Sequence, residues 1–401
     1  MPEVKIISGN LACAYGAKVA KVRVVAAYPI TPQTTVVEKL SEFVANGEMD
    51  AEYIRVESEH SAASAVFGSE ASGLRSYTAT SSQGLALMHE ILYAIAGARL
   101  PIGMSVINRT LAAPINILAE NNDIMAERDS GFIINFNESN QEVLDSILIN
   151  YRLGEDKRVL LPQINNLDAF ILSHTYEPVE IPDPKQVDDF LPELDLEYKL
   201  DTEHPIAMAP LSDHRYTPEF RWNQDLAMRE ALKLMPKVMD EFYEVFGRRY
   251  GNGLIETYKM DGAEVALFAA GTNYSTGRAA VDELREEGKP VGIVKIRSLR
   301  PFPVDDIREI AKQVDVIGVH DRSAIFGLGG EFLQEIKSAL YGAKHQPPVI
   351  GFVAGLGGRD VRKDGIKEWF NTLLEIKKTG EIPENFRKPG DQWYDHVDVR
   401  K

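Results

Sequence analysis

Read for its alternation of apolar and polar positions, the chain divides into two stretches of strand, turn and helix separated by a proline-broken segment. Residues 22–28 form a short apolar run that stops at Pro29, and the next stretch, 34–46, places Val36, Val37, Leu40, Phe43 and Val44 at helical spacing. The rhythm repeats as strand 52–56, helix 61–73, strand 76–80, helix 84–98 and strand 102–107. Apolar runs at 159–161 and 169–172 predict two more buried strands. Such alternation predicts a mostly parallel sheet with helices on both faces.

Between 176 and 223 the periodicity fades; Pro178, Pro182, Pro184, Pro192, Pro205, Pro210 and Pro218 interrupt an acid-rich stretch that reads as an extended connecting arm. A helix over 224–246 follows, with Leu226, Met228, Leu232, Met235, Met239, Phe242 and Phe246 as its apolar stripe and Pro236 as an expected kink. Near Asp261 a second module starts: strands at 265–269, 290–296, 316–320 and 349–353, and a helix over 275–287. The fold class expected is α/β, two doubly wound domains, with bounds 1–250 (including the arm) and 251–401.

The 401 residues suffice for two or three cores at about 150 residues per domain. A net charge of −16 disfavours nucleic acid and anionic membrane surfaces as partners. No apolar run approaches the ~20 residues of a membrane span, and the first residues lack a secretory pattern, so a cytoplasmic protein is expected. The single cysteine, Cys13, leaves this chain without an intramolecular disulfide, a structural zinc site or a four-thiolate iron–sulfur cluster of its own. Cys13 itself reads as a core residue, and so does the methionine stripe of 228–239.

In parallel sheets ligands sit beyond the carboxyl ends of the strands, so the strand-to-helix turns carry the chemistry. Tyr28-Pro29-Ile30-Thr31-Pro32-Gln33-Thr34 presents two hydroxyls on a rigid turn, for a ligand or as a helix N-cap at Thr31 or Thr34. Val56-Glu57-Ser58-Glu59-His60-Ser61 gathers carboxylates and an imidazole before a small-residue run; Glu59 either complements a helix dipole or binds a ring nitrogen. Thr78-Ala79-Thr80-Ser81-Ser82-Gln83-Gly84 opens a helix without the lysine of a P-loop. Asn108-Arg109-Thr110 puts an arginine at a strand end, for a salt bridge or for bidentate carboxylate capture. The glycine runs 327–330 and 355–358 lack dinucleotide spacing and read as tight turns at subunit contacts, and His174 reads as a structural histidine.

In this order and spacing the turns resemble one family. YPITPQT (28–34), VESEHSA (56–62), TATSSQGLALMHE (78–90), NRTLAAPIN (108–116), ERDSGF (127–132), SNQE (139–142), EDKRVLLP (155–162), LSHT (172–175), FGRRYG (246–251), RPFP (300–303), FGLGG (326–330) and AGLGGRD (354–360) are similar to the α subunit of multisubunit 2-oxoacid:ferredoxin oxidoreductases, of the pyruvate type or its branched-chain relatives. The resemblance implies a thiamine-enzyme pyrimidine-binding module followed by a transketolase C-terminal-like module. It implies that Glu59 hydrogen-bonds the N1′ nitrogen of the thiamine aminopyrimidine, that Pro29, Ser82 and Gln83 lie against the cofactor, and that Thr31 and Arg109 bind the substrate carboxylate. Asn121 and Asp123 are expected near the substrate.

No Gly-Asp-Gly occurs in the chain, so the resemblance places the thiamine diphosphate in a site shared with a β subunit. Mg²⁺ and the [4Fe–4S] clusters would then belong to partner subunits, with γ and δ subunits completing the complex, ferredoxin as acceptor, and coenzyme A and a 2-oxo acid as substrates. Relatives carry an aromatic-Asn-Asp-x-x-Asp segment where this chain reads Ala119-Glu120-Asn121-Asn122-Asp123, which bears on pocket size. Thr31 argues against the oxalate-using branch, and pyruvate is expected over 2-oxoisovalerate. A non-catalytic scaffold subunit, a cluster-free thiamine enzyme and a nicotinamide enzyme are the rival classes.

Overall fold

The computed structural model describes residues 2–388, 393 and 394; the remainder of the second expected domain lies outside them. The first half contains β1 (Glu3–Ser8), α1 (Gly9–Val19), β2 (Val24–Ala27), α2 (Thr34–Ala45), β3 (Glu52–Arg55), α3 (Glu59–Ala71), β4 (Ser76–Thr80), α4 (Ser82–Gly97) and β5 (Gly103–Asn108). It continues with α5 (Asn122–Met125), β6 (Ile133–Phe136), α6 (Asn140–Gly154), β7 (Gln163–Asp168), β8 (Tyr176–Ile181), α7 (Pro184–Phe190) and α8 (Thr217–Phe246). The second half holds β9 (Ile255–Tyr258), β10 (Val265–Ala269), α9 (Thr272–Glu286), β11 (Val291–Ile296), β12 (Ser298–Arg300), α10 (Val304–Ala311), β13 (Val316–Asp321), α11 (Glu331–Leu340), β14 (Val349–Val353) and α12 (Lys363–Thr379).

The main sheet runs β12-β6-β7-β5-β4-β2-β3, parallel except for β12. The second runs β14-β13-β10-β11-β9, with only β9 antiparallel. Both are the doubly wound α/β sheets expected. One face of the main sheet packs Cys13, Val36, Leu40, Phe43, Leu144 and Leu148 of α1, α2 and α6. The other face buries Val66, Leu85, Met88 and Leu92 of α3 and α4 in one core with Phe268, Val294, Phe332 and Leu333 from the second half. The halves therefore share a core, and β12 from the second completes the sheet of the first.

Several elements depart from the sequence expectation. The buried strands expected at 159–161 and 169–172 are turns, and the strand lies between them as β7. Its side chains Gln163, Asn165, Asn166 and Asp168 are polar but buried, and hydrogen bonds rather than hydropathy hold them there: Asn137 Nδ2 reaches Asn165 Oδ1 at 2.6 Å and Gln163 Nε2 reaches the Pro101 carbonyl at 3.1 Å. The arm opens with β8, paired antiparallel with β1, and α8 begins seven residues before the expected start and runs through Pro236. Cys13 is core, its thiol pushed up to about 12 by burial, and Met235 and Met239 are buried in the same cluster.

Candidate active site

Chain order around the main sheet reverses at β2 and β4: α2 leads outward to β3, α3 crosses back to β4, and α4 leads the other way to β5. The crevice beyond the carboxyl ends of these strands is where a doubly wound sheet binds its ligand. Three of the four singled-out turns follow β2, β4 and β5, and the fourth precedes α3.

At the start of α3, Ser58 is the N-cap and accepts from the Ser61 N–H at 3.3 Å, which leaves Glu59 in the first helical turn. Glu59 is only 7% exposed, yet its carboxylate makes no hydrogen bond within the described residues. Complementing the helix dipole takes up no donor on the carboxylate, so its oxygens remain free for a ligand that enters the crevice. Opposite stands Gly84, where a Cβ would lie 2.6 Å from Glu59 Oε1 and 2.4 Å from Thr80 Oγ1, so the missing side chain makes the space that Glu59 fills. Around that contact Thr80 Oγ1, Ser81 Oγ and Gln83 Nε2 are buried without partners. A buried carboxylate beside orphaned hydroxyl and amide groups suits a polar heterocycle that would satisfy them.

The second part of the site is cationic. Arg109 is 8% exposed at the end of β5, with Nη1 on the Thr31 carbonyl at 2.7 Å and Nε on the Asn116 carbonyl at 3.2 Å. No carboxylate lies within ion-pair distance among the described residues, so the salt-bridge alternative fails. Burial lowers the guanidinium pKa, against the pull of the Asp123 charge, and Nη2 makes no hydrogen bond. An enclosed guanidinium held by carbonyls alone is a receptor for an anion. Thr31 is exposed with an unbonded hydroxyl, and Pro29 is exposed beside it. Neither Thr31 nor Thr34 caps α2; Gln33 takes the cap position while its amide donates to the Ala79 carbonyl at 2.8 Å.

Ser82 joins the two parts. It has a left-handed backbone (φ 48°), and its hydroxyl donates to the Thr110 carbonyl at 2.6 Å. A family described as "Pyruvate flavodoxin/ferredoxin oxidoreductase, thiamine diP-bdg" matches residues 15–240, and one described as "Pyruvate:ferredoxin oxidoreductase core domain II" matches 263–366. The chain belongs to the pyruvate:ferredoxin oxidoreductase family.

Relatives in that family include pyruvate synthase subunit PorA of Methanothermobacter thermautotrophicus, 48% identical over 91% of this chain and 94% of its own. PorA of Pyrococcus furiosus is 45% identical over 98% and 99%, and ketoisovalerate oxidoreductase subunit VorA of Pyrococcus horikoshii is 43% identical over 98% of each. Among solved structures, 2-oxoglutarate:ferredoxin oxidoreductase from Magnetococcus marinus superposes with a TM-score of 0.72 at 19% identity, over 92% of this chain and 65% of that one. A split gene transketolase superposes with a TM-score of 0.55 at 11% identity, over 93% and 100%. These likenesses carry the fold: a thiamine-enzyme module followed by a transketolase-like one.

Within the family architecture, the loop after Arg109 is fastened by the second half of the chain. Asn116 Nδ2 donates to the Gly357 carbonyl at 3.0 Å, Glu120 Oε2 accepts from the Gly357 N–H at 3.0 Å, and the Gly358 N–H reaches the Ala119 carbonyl at 2.9 Å. The 355–358 turn thus makes a contact within the chain. Burial raises the Glu120 pKa. Asn121 is 5% exposed with Oδ1 unpartnered, whereas both Asp123 oxygens are taken by N–H donors. His174 is a surface residue stacked on Phe170 at 4.6 Å and bonded to the Ser173 hydroxyl at 2.8 Å.

Sequence reasoning missed the residues that join the halves at the site. Asp168 ends β7, accepts from the Thr272 N–H at 3.1 Å, and pairs with Arg322 at 3.1 Å; Arg322 also holds Asn273 at 2.7 Å, and its carbonyl accepts from the Asn121 N–H at 2.9 Å. Among the described residues no group of three or more His, Cys, Asp or Glu side chains could hold a metal ion, and no helix is long and apolar enough to cross a membrane.

Proposed function

We propose that this chain is the α subunit of a pyruvate:ferredoxin oxidoreductase and contributes the pyrimidine side of a shared thiamine diphosphate site. The complex would oxidatively decarboxylate pyruvate with coenzyme A to acetyl-CoA and CO₂, passing electrons to ferredoxin. The observation that carries this reading is the partnerless, nearly buried Glu59 facing Gly84 and the orphaned Thr80, Ser81 and Gln83 groups. Those residues fit the aminopyrimidine end of the cofactor: Glu59 shares a proton with the ring nitrogen, Gly84 leaves room for the Glu59 side chain, and Ser82 and Gln83 line the approach with Pro29. When bound, the cofactor supplies the nucleophilic thiazolium carbon that acts on the 2-oxo group. Arg109 neutralises the substrate carboxylate, Thr31 adds a hydroxyl donor, and Asn121 and Asp123 belong to the loop beside them.

The sequence has no Gly-Asp-Gly and the described residues hold no candidate metal cluster, so a β subunit would supply the diphosphate and Mg²⁺ site together with a [4Fe–4S] cluster. A γ subunit and a ferredoxin-type δ subunit would complete a cytoplasmic complex. Pyruvate is preferred because the pyruvate synthase subunits are more identical to this chain than the ketoisovalerate subunit; 2-oxoisovalerate is the second reading.

Substituting Glu59→Ala in the assembled complex tests the proposal. Viologen reduction with pyruvate should fall by at least about 100-fold while the subunits still co-purify. A rate within a few-fold of the unsubstituted complex would remove Glu59 from the chemistry and favour a scaffold subunit. Running pyruvate, 2-oxoisovalerate and 2-oxoglutarate in parallel decides the substrate.

A further inference from the structure

Asp123 lies on the four-residue α5, is 2% exposed, and has four N–H donors on its two oxygens. Oδ2 accepts from the backbone N–H of Ser82 at 3.1 Å and of Arg109 at 3.0 Å. Oδ1 accepts from Asn108 Nδ2 at 3.1 Å and from its neighbour Ile124 N–H at 2.7 Å. One carboxylate therefore clips the turn after β4 to the turn after β5. The Ser82 end of the clip has a left-handed backbone that a side-chain-bearing residue adopts only under restraint. The Arg109 end carries the guanidinium that reaches the Thr31 carbonyl.

Electrostatics also separates Asp123 from direct substrate contact. A second carboxylate aimed at the pocket would repel a 2-oxo acid and compete for Arg109, whereas this one spends its lone pairs on backbone and amide donors behind the arginine. Burial pushes its pKa up to about 7, against the pull of those donors.

We propose that Asp123 is a positioning residue for substrate capture, acting through the backbone N–H groups of Arg109 and Ser82 to hold the Arg109 guanidinium where a substrate carboxylate binds. This rests on Arg109 being the carboxylate receptor. The test is a double-mutant cycle in the assembled complex, reading kcat/KM for pyruvate by viologen reduction. Asp123→Ala should lower kcat/KM at least about tenfold, mostly through KM, because a misplaced binding group costs uniform binding before it costs turnover. In an Arg109→Ala background the same substitution should cost less than about threefold, since no guanidinium remains to misplace. Equal losses in both backgrounds, or no loss in the unsubstituted one, would overturn the proposal and leave the Arg109 reading standing. If Arg109→Ala alone leaves kcat/KM unchanged, the Arg109 reading falls and takes the proposal with it. Asp123→Asn, which keeps the volume but turns an NH₂ toward two of the four donors, runs through the same cycle. It keeps the test decisive if the alanine variant does not assemble.

Discussion

Gly84→Ala gives a sharp test of the site because the structure fixes the size of the perturbation. The added Cβ would sit 2.4 Å from Thr80 Oγ1, 2.6 Å from Glu59 Oε1 and 2.8 Å from Glu59 Cγ, where ordinary contact is about 3.5 Å. The Glu59 side chain and the Thr80 hydroxyl must therefore retreat by roughly 1 Å. Overpacking of this kind costs about 1–3 kcal/mol, while alanine in place of glycine within a helix returns about 1 kcal/mol. Gly84 has no positive φ, so no backbone strain is added. The net loss of stability is thus about 0–2 kcal/mol, small enough for the complex to assemble. On the proposed role of Glu59, a displacement of about 1 Å there costs on the order of 100-fold in rate. The assay is pyruvate-dependent viologen reduction by the purified complex, with thermal unfolding recorded alongside. Gly68→Ala in α3, the helix that begins with Glu59, is the control: nothing lies within 4 Å of its Cβ, so it should leave the rate unchanged and raise stability by up to about 1 kcal/mol. If Gly84→Ala retained its rate within threefold, or Gly68→Ala lost as much, the reading of Gly84 as the space-maker for Glu59 would be refuted.

Two further expectations concern buried titratable groups. Lys295 and Arg297 are fully buried and hold Glu142 at 2.6 and 3.0 Å; burial works to raise the Glu142 pKa, but the two cations outweigh it and hold it low. Lys295→Met should cost about 3 kcal/mol in urea unfolding, and Glu142→Gln added to it should return part of that loss; a cost below about 0.5 kcal/mol would mean the pair is not stabilising. Because the folded Glu142 pKa is depressed, its contribution is present above the ordinary carboxylate range and is lost as pH falls below it. His320, stacked on Trp369 at 5.1 Å, is pushed down to about 3 by burial, assisted by Arg322, and so stays neutral in the fold. Below its ordinary value of 6.5 the unfolded chain takes up a proton that the folded chain refuses. The stability difference between the unsubstituted protein and His320→Gln should therefore be largest above pH 6.5 and shrink by about 1.4 kcal/mol per unit on acidification. A difference that is flat between pH 7 and 4.5 would contradict a buried neutral imidazole.

What the sequence made legible follows from which forces leave a local trace. Strands such as Val24–Ala27 and Val265–Ala269 are buried on both faces by apolar side chains, so hydropathy finds them. β7 is equally buried, but Gln163, Asn165, Asn166 and Asp168 are kept there by partners on β6, α6 and the second half, and hydropathy points instead to the apolar turns on either side. β8 was hidden by Pro178, which sits opposite Ile6 in a two-stranded ladder whose pairing partner is some 170 residues earlier in the chain. The site shows the same division. Glu59, Thr31, Arg109 and the Ser82 turn lie at strand or helix ends and could be singled out one by one, yet only their joint order suggested what they do together.

The loop of 116–123 carries this argument furthest. The sequence marks it only as a departure from its relatives that bears on pocket size, with Glu120 where they carry an aspartate. In the structure Glu120 spends Oε2 on the Gly357 N–H, 237 residues away, and Asn122 Nδ2 reaches the Ala324 carbonyl at 3.0 Å. The second half of the chain therefore helps to set the walls beside Arg109. If the loop lines the substrate pocket, grafting it from a ketoisovalerate relative without the 355–358 turn that fastens it should transfer 2-oxo acid preference incompletely, as read by viologen reduction with pyruvate and 2-oxoisovalerate. That dependence has no local signature, because hydrogen bonds between residues more than 200 positions apart leave no periodicity to read.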